Sequence, residues 1–209
     1  MMRQALLLGD TVAPYHPVGG VMKVLQRVYD GVFDITLEED YGNLTLDRLK
    51  SYDMVISYID NWGVKGSRKA VAALVSYVAD GGNLLALHNG MVMTRDCHEF
   101  ALLLGARFLG HPSQVLIDYS RTDVDHPISE RFEDFKTTEE SYQFDFDDFT
   151  EKQVLVQSRY AKSSVPAVWC HRYGWGKVVC VVPGHQVESF HGPVRKILYK
   201  AGLWFIDRI

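Results

Sequence analysis

The sequence contains no run of eighteen consecutive apolar residues, so we expect no transmembrane helix and no membrane partner. It also has no dense cluster of lysine and arginine, and its net charge is -4, which argues against a nucleic acid partner. The first ten residues, MMRQALLLGD, hold an apolar stretch that is too short for a signal peptide and better suits a first strand. Together these absences favour a cytoplasmic protein.

Cysteine is scarce: only Cys97, Cys170 and Cys180 occur, at irregular spacings. An odd number of irregularly spaced cysteines predicts no disulfide framework and favours a reducing compartment. The 209 residues are 47% hydrophobic and 23% charged, which is ordinary for a globular chain. We therefore expect one domain over residues 1–209, large enough to bury a sizeable core.

Strand and helix patterns alternate in the first half of the chain. The clearest helix is SRKAVAALVSYVADGG, with apolar residues at three- and four-residue spacing and Gly81–Gly82 at its end. Such alternation predicts a doubly wound, mainly parallel α/β sheet. In the second half, four strand-like segments have few helices between them, so we expect a partly antiparallel extension. The final segment, GPVRKILYKAGLWFIDRI, predicts an amphipathic helix on one sheet face.

Two histidines directly follow apolar strand patterns. His88 ends the run in GGNLLALHNG, and His185 follows VVCVVPG. The run Leu84–Leu87 lacks polar alternation, which predicts a central strand covered on both faces. Open α/β sheets bind ligands at the carboxyl ends of their strands. Each histidine could cap a strand or serve a site; two in the same position make a shared site at one sheet edge worth predicting.

Other polar and aromatic residues have both structural and functional interpretations. Glu140 and Tyr142 alternate, so both leave one face of an extended segment that forms either a surface strand or a site wall. His111 precedes a proline, and Trp62 in the loop DNWGVKG could stack on a sugar ring. His126, in DVDHPIS, favours a turn.

Several further residues favour purely structural roles. We expect Trp169 to lie in the core and Gly174–Trp175–Gly176 to form a hairpin turn between two strands. His98 and His171 fall within a helix pattern and a strand pattern, so we assign both to structure.

Four blocks of the sequence together resemble the ThuA-like (trehalose utilization) family. They are GGNLLALHNG, GHPSQVLIDYSRTDVDHPISERF, TTEESYQF and PAVWCHRYGWGKVVCVVPGHQ, and the resemblance extends from about residue 52 to the C-terminus. It implies a flavodoxin-like fold of the class I glutamine amidotransferase type. It also implies a role in carbohydrate metabolism around trehalose or related disaccharides, including oxidised (keto) sugars. The recurrent family positions match His88, His111, His126, Glu140, Tyr142, Trp169, His185 and His191.

The sequence departs from true amidotransferases at the strand-to-helix elbow. These enzymes carry a nucleophilic cysteine there, whereas this chain has His88, and Cys97 lies nine residues further on in a helix pattern. Without a thiolate at the elbow no glutamyl thioester forms, so we expect no glutaminase activity. In GHQVES, His185 and Glu188 resemble the histidine and glutamate of the amidotransferase site.

These observations lead to a site hypothesis with three groups of residues. We expect catalytic roles for His88, His185 and Glu140, and substrate contacts from Tyr142, Trp62 and His111. Imidazole and carboxylate groups suit zinc or a similar divalent ion, for which His88, His185 and His191 are the expected ligands. Such a site suits proton abstraction beside the carbonyl of a keto sugar, which a metal would polarise.

The sequence leaves several alternatives open. His88 and His185 could share a pocket without a metal, but in either case their imidazoles must lie within about 12 Å of each other, since a metal sits only ~2 Å from each ligand nitrogen. The protein could be an enzyme, a non-catalytic sugar-binding or accessory protein, or a degenerate amidotransferase-fold partner with an exposed apolar patch. A small-molecule sugar is the expected partner, and a homo-oligomer is compatible with the sequence.

Overall fold

The computed structural model describes residues 2–59 and 67–209, which contain eleven strands and five α-helices. The strands are β1 (Arg3–Gly9), β2 (Phe33–Glu38), β3 (Met54–Tyr58), β4 (Asn83–Leu87), β5 (Ala106–Gly110), β6 (Val115–Arg121), β7 (Phe135–Glu139), β8 (Gln143–Phe146), β9 (Gln153–Tyr160), β10 (Ser163–Tyr173) and β11 (Gly176–Val181). The helices are α1 (Val18–Val28), α2 (Leu46–Leu49), α3 (Ser67–Ala79), α4 (His98–Leu104) and α5 (Gly192–Phe205).

Nine of these strands form one sheet in the order β2-β1-β3-β4-β11-β10-β9-β6-β7. The first five strands of this order pair in parallel, and the remaining pairings are antiparallel. The order 2-1-3-4 followed by a fifth parallel strand is that of flavodoxin-like folds. The predicted doubly wound sheet with an antiparallel extension is therefore confirmed.

Strand β4 lies in the middle of the parallel part, between β3 and β11. Leu84, Leu85, Ala86 and Leu87 are each 0% exposed. A strand covered on both faces has no need of polar alternation, which is why this run is continuously apolar. The predicted central position of the strand before His88 is confirmed.

The helices fall into two groups that contact one another within each group. Helix α1 contacts α5, whereas α3 contacts both α2 and α4. The chain runs from β1 outward to β2 and then back across β1 to β3 and β4, so right-handed crossovers place α1 on one face of the sheet and α2 and α3 on the other. The direction of winding reverses between β1 and β3, and in such folds the crevice at this point binds ligands.

Three strands were missing from the sequence interpretation: β5, β7 and β8. Among the residues that the structure describes, β5 and β8 pair only with each other, in a separate two-stranded sheet, and β7 is the edge of the large sheet. In β7, FKTTE, side chains alternate between partly buried and exposed, and only Glu139 is fully buried. Short strands with polar sequences lack the apolar pattern by which a strand is identified.

Trp169, the turn at Gly174 and His126 lie where the sequence placed them, whereas His98, expected inside a helix, is the exposed first residue of α4. Trp169 is 0% exposed and its Nε1 donates to the Leu104 carbonyl at 2.9 Å. Gly174 has φ +57°, which suits the turn between β10 and β11. His126 Nδ1 accepts from the Ile128 backbone N–H at 3.2 Å and so caps a 3₁₀ turn.

Buried His171 should make the folded state less stable in mild acid. Its Nε2–H donates to the Leu103 carbonyl at 3.0 Å, and burial lowers the pKa of the ring. Below the unfolded-state pKa of about 6.5 the unfolded chain binds a proton that the folded chain resists, so stability is lost as pH falls below that value. Urea unfolding at pH 7.5 and pH 5 should show that the free energy of unfolding falls less between the two pH values for His171→Gln than for the wild type. His98→Gln, on an exposed side chain, should leave the difference unchanged.

Candidate active site

Three histidines meet at the carboxyl edge of the parallel sheet. His16 lies in the loop after β1, His88 directly follows β4, and His185 lies four residues beyond β11. The ring centroids are 5.1 Å apart for His16 and His88, 4.9 Å for His16 and His185, and 5.4 Å for His88 and His185. The short distance confirms the prediction that His88 and His185 lie close together. They do so because parallel strands end at the same edge of a sheet.

His88 occupies a strained position at the end of β4. Its φ is +38°, in the left-handed region, where the strand turns into a 3₁₀ segment covering His88–Arg95. The ring is 0% exposed, and Nδ1–H donates to the Val182 carbonyl at 2.8 Å. Nε2 therefore faces the other members of the site. Strain of this kind on a non-glycine residue persists only where the surrounding structure enforces it, and it occurs mostly at functional sites.

Glu140, one residue beyond β7, supplies the carboxylate. Its Oε2 lies 3.2 Å from His88 Nε2, 3.3 Å from His185 Nδ1 and 3.7 Å from His111 Nε2. His16 Nε2 lies 3.1 Å from His185 Nδ1. We call the group that offers four ligand atoms within 4.8 Å of one another the histidine–glutamate cluster: His16, His88, Glu140 and His185. Of the described residues, these are the ones placed to hold a metal ion.

The electrostatics of this cluster keep Glu140 ionised. Burial acts to raise the pKa of Glu140, but the hydrogen bond from His88 and the charges of His88, His185 and His111 outweigh it and lower the pKa to about 2. Burial lowers the pKa of His185. The negative charge of Glu140 opposes this shift, and the neighbouring His88 and His16 reinforce it. At neutral pH the carboxylate is therefore negative, and His185 favours its neutral form.

Tyr142 and His111 form one wall of the site. The Tyr142 hydroxyl lies 3.1 Å from His88 Nε2, and its ring stacks on His88 at 4.5 Å and on His111 at 5.2 Å. Tyr142 is only 2% exposed, because it packs between the two histidine rings and its hydroxyl holds His88. The substrate contact expected of Tyr142 from the sequence stays a prediction. The His111 side chain is 34% exposed and reaches solvent.

Glu139 supports the backbone next to the site and was not identified from the sequence. It is 0% exposed, and its Oε1 accepts from the backbone N–H groups of Gly184 at 3.0 Å and His185 at 3.3 Å. The Tyr58 hydroxyl donates to the Gly184 carbonyl at 2.9 Å. These bonds hold the backbone that carries His185. Adjacent carboxylates in a segment of alternating exposure are the signal that could have identified it, because they must leave opposite faces.

His16 was also missed, although it follows β1 at the point where ligands bind in doubly wound folds. His191 was expected among the metal ligands, but it lies outside the histidine–glutamate cluster, with its ring edge-to-face on Phe135 at 4.2 Å. The predicted ligand set is corrected accordingly, because the chain after His185 enters a 3₁₀ turn and then α5 instead of folding back.

Two further sequence predictions concern Glu188 and Trp62. Glu188 is exposed, and the carboxylate in contact with His185 is that of Glu140. Trp62, proposed as a sugar-stacking residue, lies outside the described residues.

Comparison with protein families matches residues 11–205 to ThuA, described as trehalose utilisation. The chain belongs to the ThuA family. A comparison with curated proteins finds no match. Within residues 2–59 and 67–209, no helix combines the length and the apolar character that crossing a membrane requires.

Solved structures share the fold of this ThuA-family protein at low sequence identity. A ThuA-like protein from Bacteroides uniformis is 18% identical over 98% of this chain and 91% of its own, with a TM-score of 0.78. One from Parabacteroides merdae is 16% identical over 98% and 90%, with a TM-score of 0.79. A cytoplasmic protein from Salmonella typhimurium LT2 is 16% identical over 96% of each chain, with a TM-score of 0.68.

Proposed function

We propose that this protein is a cytoplasmic enzyme that moves a proton at the carbon beside the carbonyl of an oxidised disaccharide, such as a keto derivative of trehalose. The observation that carries the proposal is the contact of the Glu140 carboxylate with His88 and His185 at 3.2 and 3.3 Å, on the sheet edge where this fold binds ligands. The family description, trehalose utilisation, supports a sugar of this class. The fold shared with the Salmonella typhimurium protein described as cytoplasmic supports the location.

The interior of the site suits a keto sugar because it is polar and rigid. The His88 ring is fixed by the Val182 carbonyl and by Tyr142, so its position does not depend on the substrate. Removing a proton beside a carbonyl creates negative charge on the carbonyl oxygen, and preorganised polar groups lower the energy of that charge. His88, His185 and Glu140 are the groups that would hold the reacting end of the sugar.

His111 is the group best placed to exchange the proton with solvent. Its Nδ1–H donates to the Pro112 carbonyl at 2.9 Å, which leaves Nε2 as a proton acceptor on the side of Glu140. An imidazole with partial exposure can accept a proton from the substrate and pass it to water. The sequence assigned His111 to substrate contact, and we propose that it also transfers the proton.

The test is deuterium incorporation from heavy water into a keto derivative of trehalose, followed by NMR. We expect enzyme-dependent exchange at the carbon next to the carbonyl, and a reduced rate for His111→Gln. Trehalose itself, which has no carbonyl in its ring carbons, serves as the control substrate. Binding of the keto sugar without exchange would instead support a non-catalytic sugar-binding or accessory protein.

Glutamine should not be a substrate. Burial raises the thiol pKa of all three free cysteines: that of Cys97 is raised, that of Cys170 is raised to about 12, and that of Cys180 is raised well above its ordinary value. None of them belongs to the histidine–glutamate cluster, and thiolates are the nucleophiles of glutamine hydrolysis. Ammonia release from glutamine should equal the rate in buffer without protein, in an assay where an active glutaminase serves as the positive control. Release that thiol alkylation abolishes would contradict this expectation.

A further inference from the structure

We propose that the histidine–glutamate cluster is a binding site for one divalent ion of the first transition row, such as zinc. Three imidazoles and one carboxylate are ligand types that such ions favour, whereas magnesium and calcium favour oxygen alone. This inference deepens the proposed function, on which it rests only for what the ion would do to a substrate. The binding itself stands on the geometry of the four side chains.

The spacing of the ligand atoms fits a shared ion. In a tetrahedral zinc site with bonds of about 2.0–2.1 Å, two ligand atoms lie about 3.3 Å apart. The observed distances are 3.2 Å for His88 Nε2 to Glu140 Oε2, 3.3 Å for His185 Nδ1 to Glu140 Oε2, and 3.1 Å for His16 Nε2 to His185 Nδ1. All four ligand atoms lie within 4.8 Å of one another.

The hydrogen bonding of His88 gives independent support. Its Nδ1–H is donated to the Val182 carbonyl at 2.8 Å, so in the neutral ring Nε2 carries a lone pair. This nitrogen lies 3.2 Å from the Glu140 carboxylate oxygen, so the ring presents Nε2 to the interior of the cluster. Donation of the other ring N–H to a backbone carbonyl is also the usual way in which a metal-binding histidine is oriented.

The ligands come from rigid and separate parts of the chain. His16, His88 and His185 follow β1, β4 and β11, and Glu140 follows β7. Glu139 fixes the backbone of His185, and the buried end of β4 fixes His88. A site held in this way requires little rearrangement on binding. With one carboxylate and three neutral imidazoles, a divalent ion keeps a net charge of +1, which would polarise the carbonyl oxygen of a keto sugar.

The experiment measures metal binding without any substrate. Protein purified without an affinity tag is stripped with a chelator and titrated with Zn²⁺ against a chromophoric chelator, and with Co²⁺ by visible absorption. We expect one ion per chain. His16→Ala and His88→Ala should each weaken binding by roughly 100-fold or more. His191→Ala, outside the cluster, and His98→Ala, on an exposed surface, should bind as the wild type does. Circular dichroism checks folding, and His16→Ala, in a loop, serves if His88→Ala does not fold.

The outcomes separate this inference from the proposed function. Failure of the stripped protein to bind Zn²⁺ and Co²⁺, or equal binding by wild type, His16→Ala and His88→Ala, would overturn the metal site. Proton exchange by protein that binds no ion would reject the metal site and still support the proposed reaction. Tight binding at the cluster with no exchange on the keto sugar would support the site and reject the proposed reaction.

Discussion

Replacing Glu140 by glutamine should reduce the exchange of the proton beside the carbonyl by on the order of 10³-fold, within the range typical of lost acid–base groups. The amide has nearly the same shape but no charge, so it cannot balance positive charge among the imidazoles. Only one of its two terminal atoms accepts hydrogen bonds, whereas both carboxylate oxygens do. His88, His185 and His111 all approach the same oxygen, Oε2. Deuterium incorporation into the keto sugar is the measurement.

Glu188→Gln provides the matched control for this change. Glu188 lies three residues after His185 and resembles the amidotransferase glutamate in sequence, but its side chain is exposed. We expect the control to keep the wild-type exchange rate and melting temperature. A loss of exchange in Glu188→Gln equal to that in Glu140→Gln would show that Glu140 has no special role.

Replacing Gly90 by alanine should destabilise the fold by about 3 kcal/mol, which corresponds to a fall in melting temperature of roughly 6–12 °C. A Cβ at residue 90 would lie 2.0 Å from the Ser57 carbonyl oxygen and 2.6 Å from the Ser57 carbonyl carbon. Ser57 belongs to the buried strand β3, whose backbone is held by pairing on both sides. Neither segment can move without disturbing the 3₁₀ turn that carries His88.

Gly19→Ala is the control for the Gly90 variant, and its expected effect has the opposite sign. Gly19 lies in the first turn of α1, where an added Cβ meets no atom of the described residues within 4 Å. Alanine favours helix over glycine by up to about 1 kcal/mol, so this variant should melt at the same temperature as the wild type or slightly higher. Thermal unfolding followed by circular dichroism measures both. Equal melting temperatures for the two variants would contradict the predicted clash.

The parallel half of the fold could be predicted because its signals are local. Strand β4 is a continuous apolar run and α3 has apolar residues at helical spacing, so each element identifies itself within about ten residues. The positions of β5, β7 and β8 could not be predicted in the same way. Their sequences are short and partly polar, and they become strands through pairing with partners far away in the chain.

The site was partly visible for the same reason. His88 and His185 each follow an apolar strand pattern, and parallel strands share an edge, so their proximity followed from local patterns and one general rule of α/β folds. Glu140 and Tyr142 were identified through their alternation and the family resemblance. Which of these residues exposes a usable surface was not visible. Tyr142 is buried between two histidines, whereas His111 reaches solvent.

The sequence by itself determined the fold class, the central strand, the absence of an elbow cysteine and two of the histidines. Only the tertiary structure decided that His16 and Glu140 complete the histidine–glutamate cluster, that Glu139 anchors His185, and that His191 lies outside. The physical reason is chain distance. His16 and His185 are separated by 169 residues yet have ring nitrogens 3.1 Å apart. Such a contact depends on the order of strands in the sheet and on the paths of the loops, which no local pattern of residues specifies.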